Sequence, residues 1–258
     1  MYYDVTKLVS KKVFTNLLLV LPTPRQKRFG RKRVEKKPLI AGILQVLKHG
    51  LPWNSIAACG ASGVSCWRYF QEIQRRGKLK LIYEALAGET TDVVEGAIDT
   101  TTATSFHFRR LCGYDGKHRK YGTKISLFSD KGGLPADVNF GKGQAYDGVF
   151  VAGHLKKTAG RRKRVLNLDK MYTNLEMRRR LRKSGTQVNM EMRKGDYIRK
   201  RGPKFSFNKE KYQVRFLIER LNAWIKNFWR VRVRRDYKPA IYKAFVYLAL
   251  IIVLLRQN

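Results

Sequence analysis

The sequence predicts an α/β protein in which an all-helical N-terminal region precedes a sheet domain. Apolar residues recur at helical spacing up to about residue 85, whereas short apolar runs bounded by Gly, Asp or Lys dominate from residue 91 onward. The 258 residues are 43% hydrophobic and 12% aromatic, which is ordinary for a folded core. The 55 Lys and Arg residues against 19 Asp and Glu residues give a net charge of +36, spread along the chain, which indicates nucleic acid as the partner.

The first 88 residues are predicted to form a helical DNA-binding region. A basic linker without helical periodicity, residues 25–37, divides this region. Two short helices follow the linker, at 38–50 and 64–76, on either side of a Gly-containing turn. This pattern is typical of a helix-turn-helix, whose second helix would present Arg68 to DNA. A packed helical hairpin has the same pattern and remains the alternative.

The remainder of the chain, residues 89–258, is predicted to form a mixed five-stranded sheet with flanking helices. The predicted strands are Val93–Thr101, Lys124–Ser129, Leu134–Phe140, Val165–Asp169 and Gln187–Met192. Helical stretches near 147–157 and 174–183 separate the later strands. A final apolar run from Ala240 to Leu255 is interrupted by Lys243 and is shorter than a bilayer requires. It therefore predicts a buried C-terminal helix.

Cysteine and histidine usage argues against two kinds of site. The three cysteines, Cys59, Cys66 and Cys112, form no Cys-x2-Cys pair, and the four histidines are scattered. A zinc site is therefore not predicted. The sparse and odd number of cysteines also argues against a disulfide framework and favours a reducing compartment.

Two aspartates, Asp99 and Asp169, end apolar runs that predict strands. A carboxylate among apolar neighbours is costly unless a cation or a polar partner compensates it. Two such strand ends can converge on a divalent metal ion, although either residue could equally cap a turn or a helix. Because no Cys or His accompanies them, these ligands favour Mg²⁺ or Mn²⁺ over softer metals.

A helix predicted over 208–229 has an apolar face and an opposite polar stripe. At 100° per residue, the stripe is about 60° wide and holds four side chains: Tyr212, Arg215, Glu219 and Lys226. It is about 21 Å long, which matches about three phosphates of an extended strand, so Tyr212, Arg215 and Lys226 are predicted to bind DNA. Glu219, the only acid of the stripe, is predicted to be a metal ligand. The alternative is a solvated face in which Glu219 pairs with Arg215 or Lys226.

The same residues resemble the motifs of a known family. The spacing Tyr-x2-Arg-x3-Glu-x6-Lys is similar to the C-terminal signature of bacterial insertion-sequence transposases with an Asp-Asp-Glu (DDE) active site. Two segments resemble the aspartate motifs of this family: Ile98-Asp99-Thr100-Thr101 and Leu168-Asp169-Lys170-Met171-Tyr172. A third segment resembles part of the family's helical DNA-binding region: Leu47-Lys48-His49-Gly50-Leu51-Pro52-Trp53. Met171 stands where the family usually has Gly, and Leu168 where it has a small residue.

The resemblance implies an RNase H-like catalytic domain over 89–258. Its catalytic residues would be Asp99, Asp169 and Glu219, holding two Mg²⁺ ions for which Mn²⁺ would substitute. Lys170 and Tyr172 would contact DNA beside them.

The resemblance also implies the activity and the partners. Such an enzyme binds the terminal inverted repeats of its element, cleaves DNA and joins the freed 3′ end to target DNA. A homodimer is expected because two element ends react together, and the expected location is the bacterial cytoplasm, at the nucleoid. A simple nuclease of the same fold, and an inactive remnant or other basic nucleic-acid-binding protein, remain the alternatives.

Overall fold

The computed structural model describes residues 4–26, 28–57, 59–90, 94–157, 164–172, 175–191 and 207–256. The chain falls into two compact units, of which the first draws on residues 1–89, 103–108 and 224–258 and the second on residues 90–102 and 109–223. Three predicted element ends, Val93, Asn174 and Met192, lie outside the described residues. The proposed division into a DNA-binding region, 1–88, and a catalytic domain, 89–258, concerns function and stays a prediction.

The described part of the chain contains α-helices and strands with the following bounds. The helices are α1 Lys11–Val20, α2 Lys36–His49, α3 Gly63–Arg75, α4 Lys78–Thr90, α5 Arg109–Cys112, α6 Gly148–Lys157, α7 Leu175–Lys183, α8 Lys209–Tyr212, α9 Val214–Lys226, α10 Trp229–Arg232 and α11 Pro239–Leu255. The strands are β1 Glu95–Thr104, β2 Tyr114–Asp115, β3 Lys120–Asp130, β4 Pro135–Lys142, β5 Arg164–Asn167 and β6 Thr186–Asn189.

Local signals at the ends of the helices explain where the N-terminal helices begin and stop. The Ser10 hydroxyl accepts a hydrogen bond from the Val13 amide at the start of α1, and the Ser62 hydroxyl accepts one from the Ser65 amide at the start of α3. Each bond satisfies an amide that has no partner within its helix. Gly50 follows the last residue of α2 as its C-cap, and its φ of 69° is the left-handed conformation that glycine adopts without a steric cost.

Helix α11 lies in the core of the first unit. The ring of Phe245 stacks on Phe70 with centroids 4.4 Å apart and lies 6.2 Å from the ring of Trp53. Most of its other residues are buried as well, so the apolar run that could suggest a membrane span packs against α1 and α3. The predicted buried C-terminal helix is therefore confirmed. Within the described ranges, no helix combines the length and the apolar character needed to cross a membrane.

The second unit is built on a mixed sheet, as predicted. Strand β1 pairs parallel with β5, which pairs parallel with β6, while β3 pairs antiparallel with β2 and β4. The order is β2-β3-β1-β5-β6, with β4 on β3, so the described residues form six strands where five were predicted. The additional strand, β2, is two residues long, and such a short segment carries no recognisable alternation.

The helix predicted over 208–229 is confirmed for most of its length but is not continuous. It is interrupted at Gln213, which separates α8 from α9, and α9 stops at Lys226, before α10 begins at Trp229. Phe228 has an extended backbone and precedes α10 as its N-cap residue. Periodicity alone does not reveal these breaks, because the apolar side chains continue at nearly the same spacing across them.

Candidate active site

Asp99 and Asp169 follow matched positions on two neighbouring parallel strands. Ala97 of β1 pairs with Asn167 of β5, and each aspartate lies two residues beyond its member of this pair. Residues two apart in extended chains point the same way, and parallel strands run toward the same edge of a sheet. The register therefore brings Asp99, in the middle of β1, and Asp169, just past the end of β5, to one place beyond the last β1–β5 pair, where the edge of the parallel part of the sheet lies.

Three buried or capping asparagines connect this edge to the helices that follow. Asn189 of β6 donates from Nδ2 to Asn167 Oδ1 at 2.7 Å and to the Asn208 carbonyl at 2.8 Å, and the Asn208 amide donates back to Asn189 Oδ1 at 2.8 Å. Asn208 in turn caps α8 by accepting from the Lys211 amide at 2.9 Å. Helix α8 thus begins at a point held by the sheet. Sequence reasoning missed these residues, although Asn167 and Asn189 each end a strand and pair with one another.

Arg215, on α9, links the carboxylates. Its Nη2 lies 3.4 Å from Asp169 Oδ2 and 3.1 Å from Glu219 Oε1, and its Nη1 donates to the Tyr212 hydroxyl at 2.9 Å. The side chain of Arg215 is 13% exposed, against 25% for Asp169 and 55% for Glu219. The structure therefore brings Tyr212, Arg215 and Glu219 to the edge where Asp169 lies, with the guanidinium directed at the carboxylates.

The charges at this edge influence one another. Burial raises the pKa of Asp99 above its ordinary value; the charges of Glu219 and Asp169 raise it further, while the Thr100 amide and Arg215 lower it. Burial by itself would lower the pKa of Arg215, but the Tyr212 hydrogen bond and nearby negative charge raise it overall. The charged form of Asp99 is therefore disfavoured by burial, and a nearby cation would reduce that penalty.

Asn222 is a member of this site that sequence reasoning did not identify. Its Nδ2 donates to Asp99 Oδ2 at 2.8 Å, and the residue is 6% exposed. Its Oδ1 is buried and has no hydrogen-bond partner among the described residues. Asn222 follows Glu219 by three residues, which places both on one side of α9, so helical spacing could have indicated it.

The other predicted DNA contacts have different environments. Arg68 is exposed on α3 and Lys170 is exposed directly after Asp169, whereas Lys226 is half-buried in the last turn of α9. Tyr172 is 1% exposed and packs in the sheet core, where burial raises the pKa of its hydroxyl. The prediction that Tyr172 contacts DNA is therefore corrected, because its ring is occupied by core packing.

Both departures from the family motif are accommodated. Leu168 is fully buried in the same core as Ile98 and Leu166. Met171 is 47% exposed, and its amide donates to Asp169 Oδ1 at 3.2 Å. Among the described non-glycine residues, a left-handed backbone occurs only at Phe108 and Arg119, so position 171 does not require glycine.

The donors around Asp99 are chemically suited to a hard divalent cation. They are the oxygens of Asp99, Asp169 and Glu219 together with the unpartnered Asn222 Oδ1. Within the described part of the chain, no three His, Cys, Asp or Glu side chains lie close enough together to hold a metal ion. The guanidinium of Arg215 lies between Asp169 and Glu219 and supplies the positive charge there.

Comparisons with known proteins identify relatives of both parts of the chain. A family model described as Transposase DDE domain matches residues 94–255, and a second model, for transposases of the IS4/5 family, matches residues 9–83. The chain is 33% identical over 106 residues to the insertion element IS402 uncharacterized 16.2 kDa protein of Burkholderia cepacia. That match covers 37% of this chain and 71% of the relative.

A solved structure shares the fold. It is the cryo-EM structure of the piggyBac transposase synaptic complex with hairpin DNA, and its TM-score is 0.55 at 12% sequence identity. The alignment covers 99% of this chain and 73% of the other. Together with the mixed sheet and its flanking helices, this likeness confirms the predicted RNase H-like fold.

Proposed function

The chain belongs to the DDE transposases of bacterial insertion elements, and from that premise we propose that Asp99, Asp169 and Glu219 are its catalytic carboxylates. The strand register that aligns the two aspartates carries this proposal. Glu219 joins them because Arg215 contacts both Asp169 and Glu219. Such an enzyme cuts DNA and transfers the cut strand to a target.

The family depends on divalent metal ions, and we propose Mg²⁺ as the ion used here. Asp99, Asp169 and Glu219 would hold it, with Asn222 Oδ1 as a further oxygen donor. When bound, the metal would activate the attacking hydroxyl and stabilise the leaving oxygen of the phosphodiester. Arg215 would balance the carboxylate charge and orient Asp169 and Glu219 toward the edge of the sheet.

The proposed DNA is the terminal inverted repeats of the element and then the target. The charge of +36 supports strong phosphate binding. The proposed contacts are Tyr212 and Lys170 beside the carboxylates, Lys226 in the last turn of α9, and Arg68 on α3 in the helical region. Arg215 reaches a phosphate only if one of its carboxylate pairs opens. We also propose a homodimer, because strand transfer brings two element ends together.

The test uses the full chain and DNA from either side of its reading frame, where inverted repeats are expected. Asp99→Asn, Asp169→Asn and Glu219→Gln should each reduce cleavage and joining to background in Mg²⁺ while leaving end binding in place. The matched control is Glu210→Gln on α8, an exposed acid near the same helices, which should retain activity.

Product analysis separates the alternatives. Joined products that form with wild type and disappear in the three variants would support the transposase site. Cleavage without joining would instead indicate a simple nuclease. Activity that survives Asp169→Asn would refute the assignment of the carboxylates.

A further inference from the structure

Two adjoining loops of the first unit carry aromatic side chains, of which Phe106 and Tyr237 are exposed and Phe108 is half-buried. Residues 105–108 follow β1, and residues 233–238 precede α11; the two segments join through a parallel bridge between Thr104 and Val233. The Arg234 amide also donates to the Thr104 carbonyl at 2.8 Å. One strand end and one loop are thereby held together.

We call the three rings on these loops the aromatic platform: Phe106, Phe108 and Tyr237. Phe106 is 71% exposed and Tyr237 is 63% exposed. The rings of Phe108 and Tyr237 meet edge to face, with centroids 5.3 Å apart and planes at 77°. Exposed aromatic side chains on adjoining loops form an apolar surface that is a candidate contact for another molecule.

A buried arginine holds the second loop in shape. Arg234 is 2% exposed, and it donates from Nε to the Asp236 carbonyl and from Nη2 to the Tyr237 carbonyl, each at 3.0 Å. Asp236 is itself paired with Arg230 at 2.9 Å, and Arg234 lies over the Tyr242 ring. Because buried charged groups are tolerated only when they are paired, these bonds fix the backbone beneath Tyr237.

The first loop is strained. Phe108 has a φ of 62°, in the left-handed region where a side chain costs about 1–2 kcal/mol. The Ser105 hydroxyl donates to the His107 carbonyl, which tightens the same turn. Strain of this kind persists where the surrounding structure enforces it, and it concentrates at ligand-binding positions. Both halves of the platform are therefore held in place before any ligand arrives.

The charges beside the platform indicate the chemical class of its ligand. Arg232, Arg235 and Lys238 are exposed on or next to the second loop, whereas Asp236, its only acid, is buried against Arg230. A surface of exposed rings among cations suits an anion that carries flat groups. Single-stranded DNA has this chemistry, since its bases stack on rings and its phosphates pair with Arg and Lys.

We propose that the aromatic platform stacks an unpaired base of single-stranded or frayed DNA, while Arg235 and Lys238 bind the neighbouring phosphates. This site lies in the first unit and shares no residue with the three proposed catalytic carboxylates. It rests on the proposed action on DNA and adds a recognition element for unpaired nucleotides.

The experiment compares two labelled probes in EDTA, so that no cleavage occurs: a blunt duplex, and the same duplex with a short single-stranded overhang. Phe106→Leu and Tyr237→Leu should each weaken overhang binding about tenfold, which is about 1.4 kcal/mol, while leaving blunt-duplex binding unchanged. Phe106→Trp should retain overhang binding because the ring is kept. Both positions are exposed, so the variants should fold normally.

The matched control is Tyr146→Leu, another exposed tyrosine that lies in the second unit; it should bind both probes like wild type. In addition, 5-iodouracil in the overhang should cross-link to Phe106 or Tyr237, located by mass spectrometry. Overhang binding that is unchanged in both leucine variants would overturn the proposal.

A second outcome would also overturn it. If Phe106→Leu changed the oligomeric state in sedimentation without changing DNA binding, the platform would be a contact between protein chains. Loss of catalysis in the carboxylate variants is measured separately, so failure of either proposal can be recognised alone.

Discussion

The hydrogen bond from Asn222 to Asp99 is expected to stabilise the folded chain. Asn222→Ala removes a donor 2.8 Å from a carboxylate oxygen in a position that is 6% exposed. A hydrogen bond to a charged group contributes about 1.5–3 kcal/mol. The same substitution also removes the buried Asn222 Oδ1, which lacks a hydrogen-bond partner among the described residues, and this offsets part of the loss. We therefore expect the free energy of unfolding to fall by about 1.5 kcal/mol at neutral pH.

The pH dependence of this loss identifies its cause. The amide of Asn222 stabilises the ionised form of Asp99, so its contribution is present above the Asp99 pKa and is lost as the pH falls through it. Burial raises the pKa of Asp99 above its ordinary value, so the decline begins at a higher pH than for an exposed aspartate. The difference between wild type and Asn222→Ala should accordingly be larger at pH 8 than in acid.

Urea unfolding followed by circular dichroism measures both effects, and hydrogen exchange of the β1 amides locates them in the sheet. The control is Asn227→Ala, an exposed asparagine just beyond α9, which should change stability by no more than about 0.5 kcal/mol. If Asn222→Ala were as stable as wild type at pH 8, or if its cost were the same at pH 8 and pH 4, the hydrogen bond would not have the role assigned to it.

Four further variants test the site and the fold. Asp169→Asn should abolish strand transfer while DNA binding in a gel-shift assay persists, and joined products would exclude Asp169 as a catalytic ligand. Lys170→Ala should lower the slope of log affinity against log salt by about one phosphate contact, whereas an unchanged slope would remove Lys170 from the proposed DNA contacts. Asp99→Asn should raise stability at neutral pH, because burial raises the Asp99 pKa and the folded state disfavours the charge. Thermal unfolding should show this gain shrinking toward acid pH, and equal stability at pH 8 would contradict it. Gly50→Ala should lower the free energy of unfolding in urea by about 2–4 kcal/mol, because the φ of Gly50 is 69° and a Cβ there would overlap the Trp229 ring. A loss below about 1 kcal/mol would show that neither the backbone strain nor the overlap matters.

Much of the site could be predicted because its residues carry local signals. Asp99 and Asp169 follow apolar runs, and those runs form β1 and β5 because their side chains are buried in one core. The spacing of Arg215 and Glu219 places them on one face of a helix, and that relation survives in α9 although the predicted longer helix is not continuous.

Other features depend on contacts between distant segments and have no local signal. The roles of Asn167 and Asn189 arise only when β5 and β6 pair in register. Tyr172 follows a motif aspartate, yet it is buried because a 3-10 turn directs it into the core. Within a motif, spacing does not show which side chains face the core and which face solvent.

The sequence by itself determined the division into helical and strand segments and the strong positive charge, and it indicated the three proposed carboxylates, because composition and periodicity are properties of neighbouring residues. Only the tertiary structure decided that Ala97 pairs with Asn167, that the Arg215 guanidinium lies between Asp169 and Glu219, and that Asn222 reaches Asp99. The physical reason is that register and side-chain direction follow from packing between segments far apart in the chain. The free energy of that packing does not appear in any single stretch of sequence.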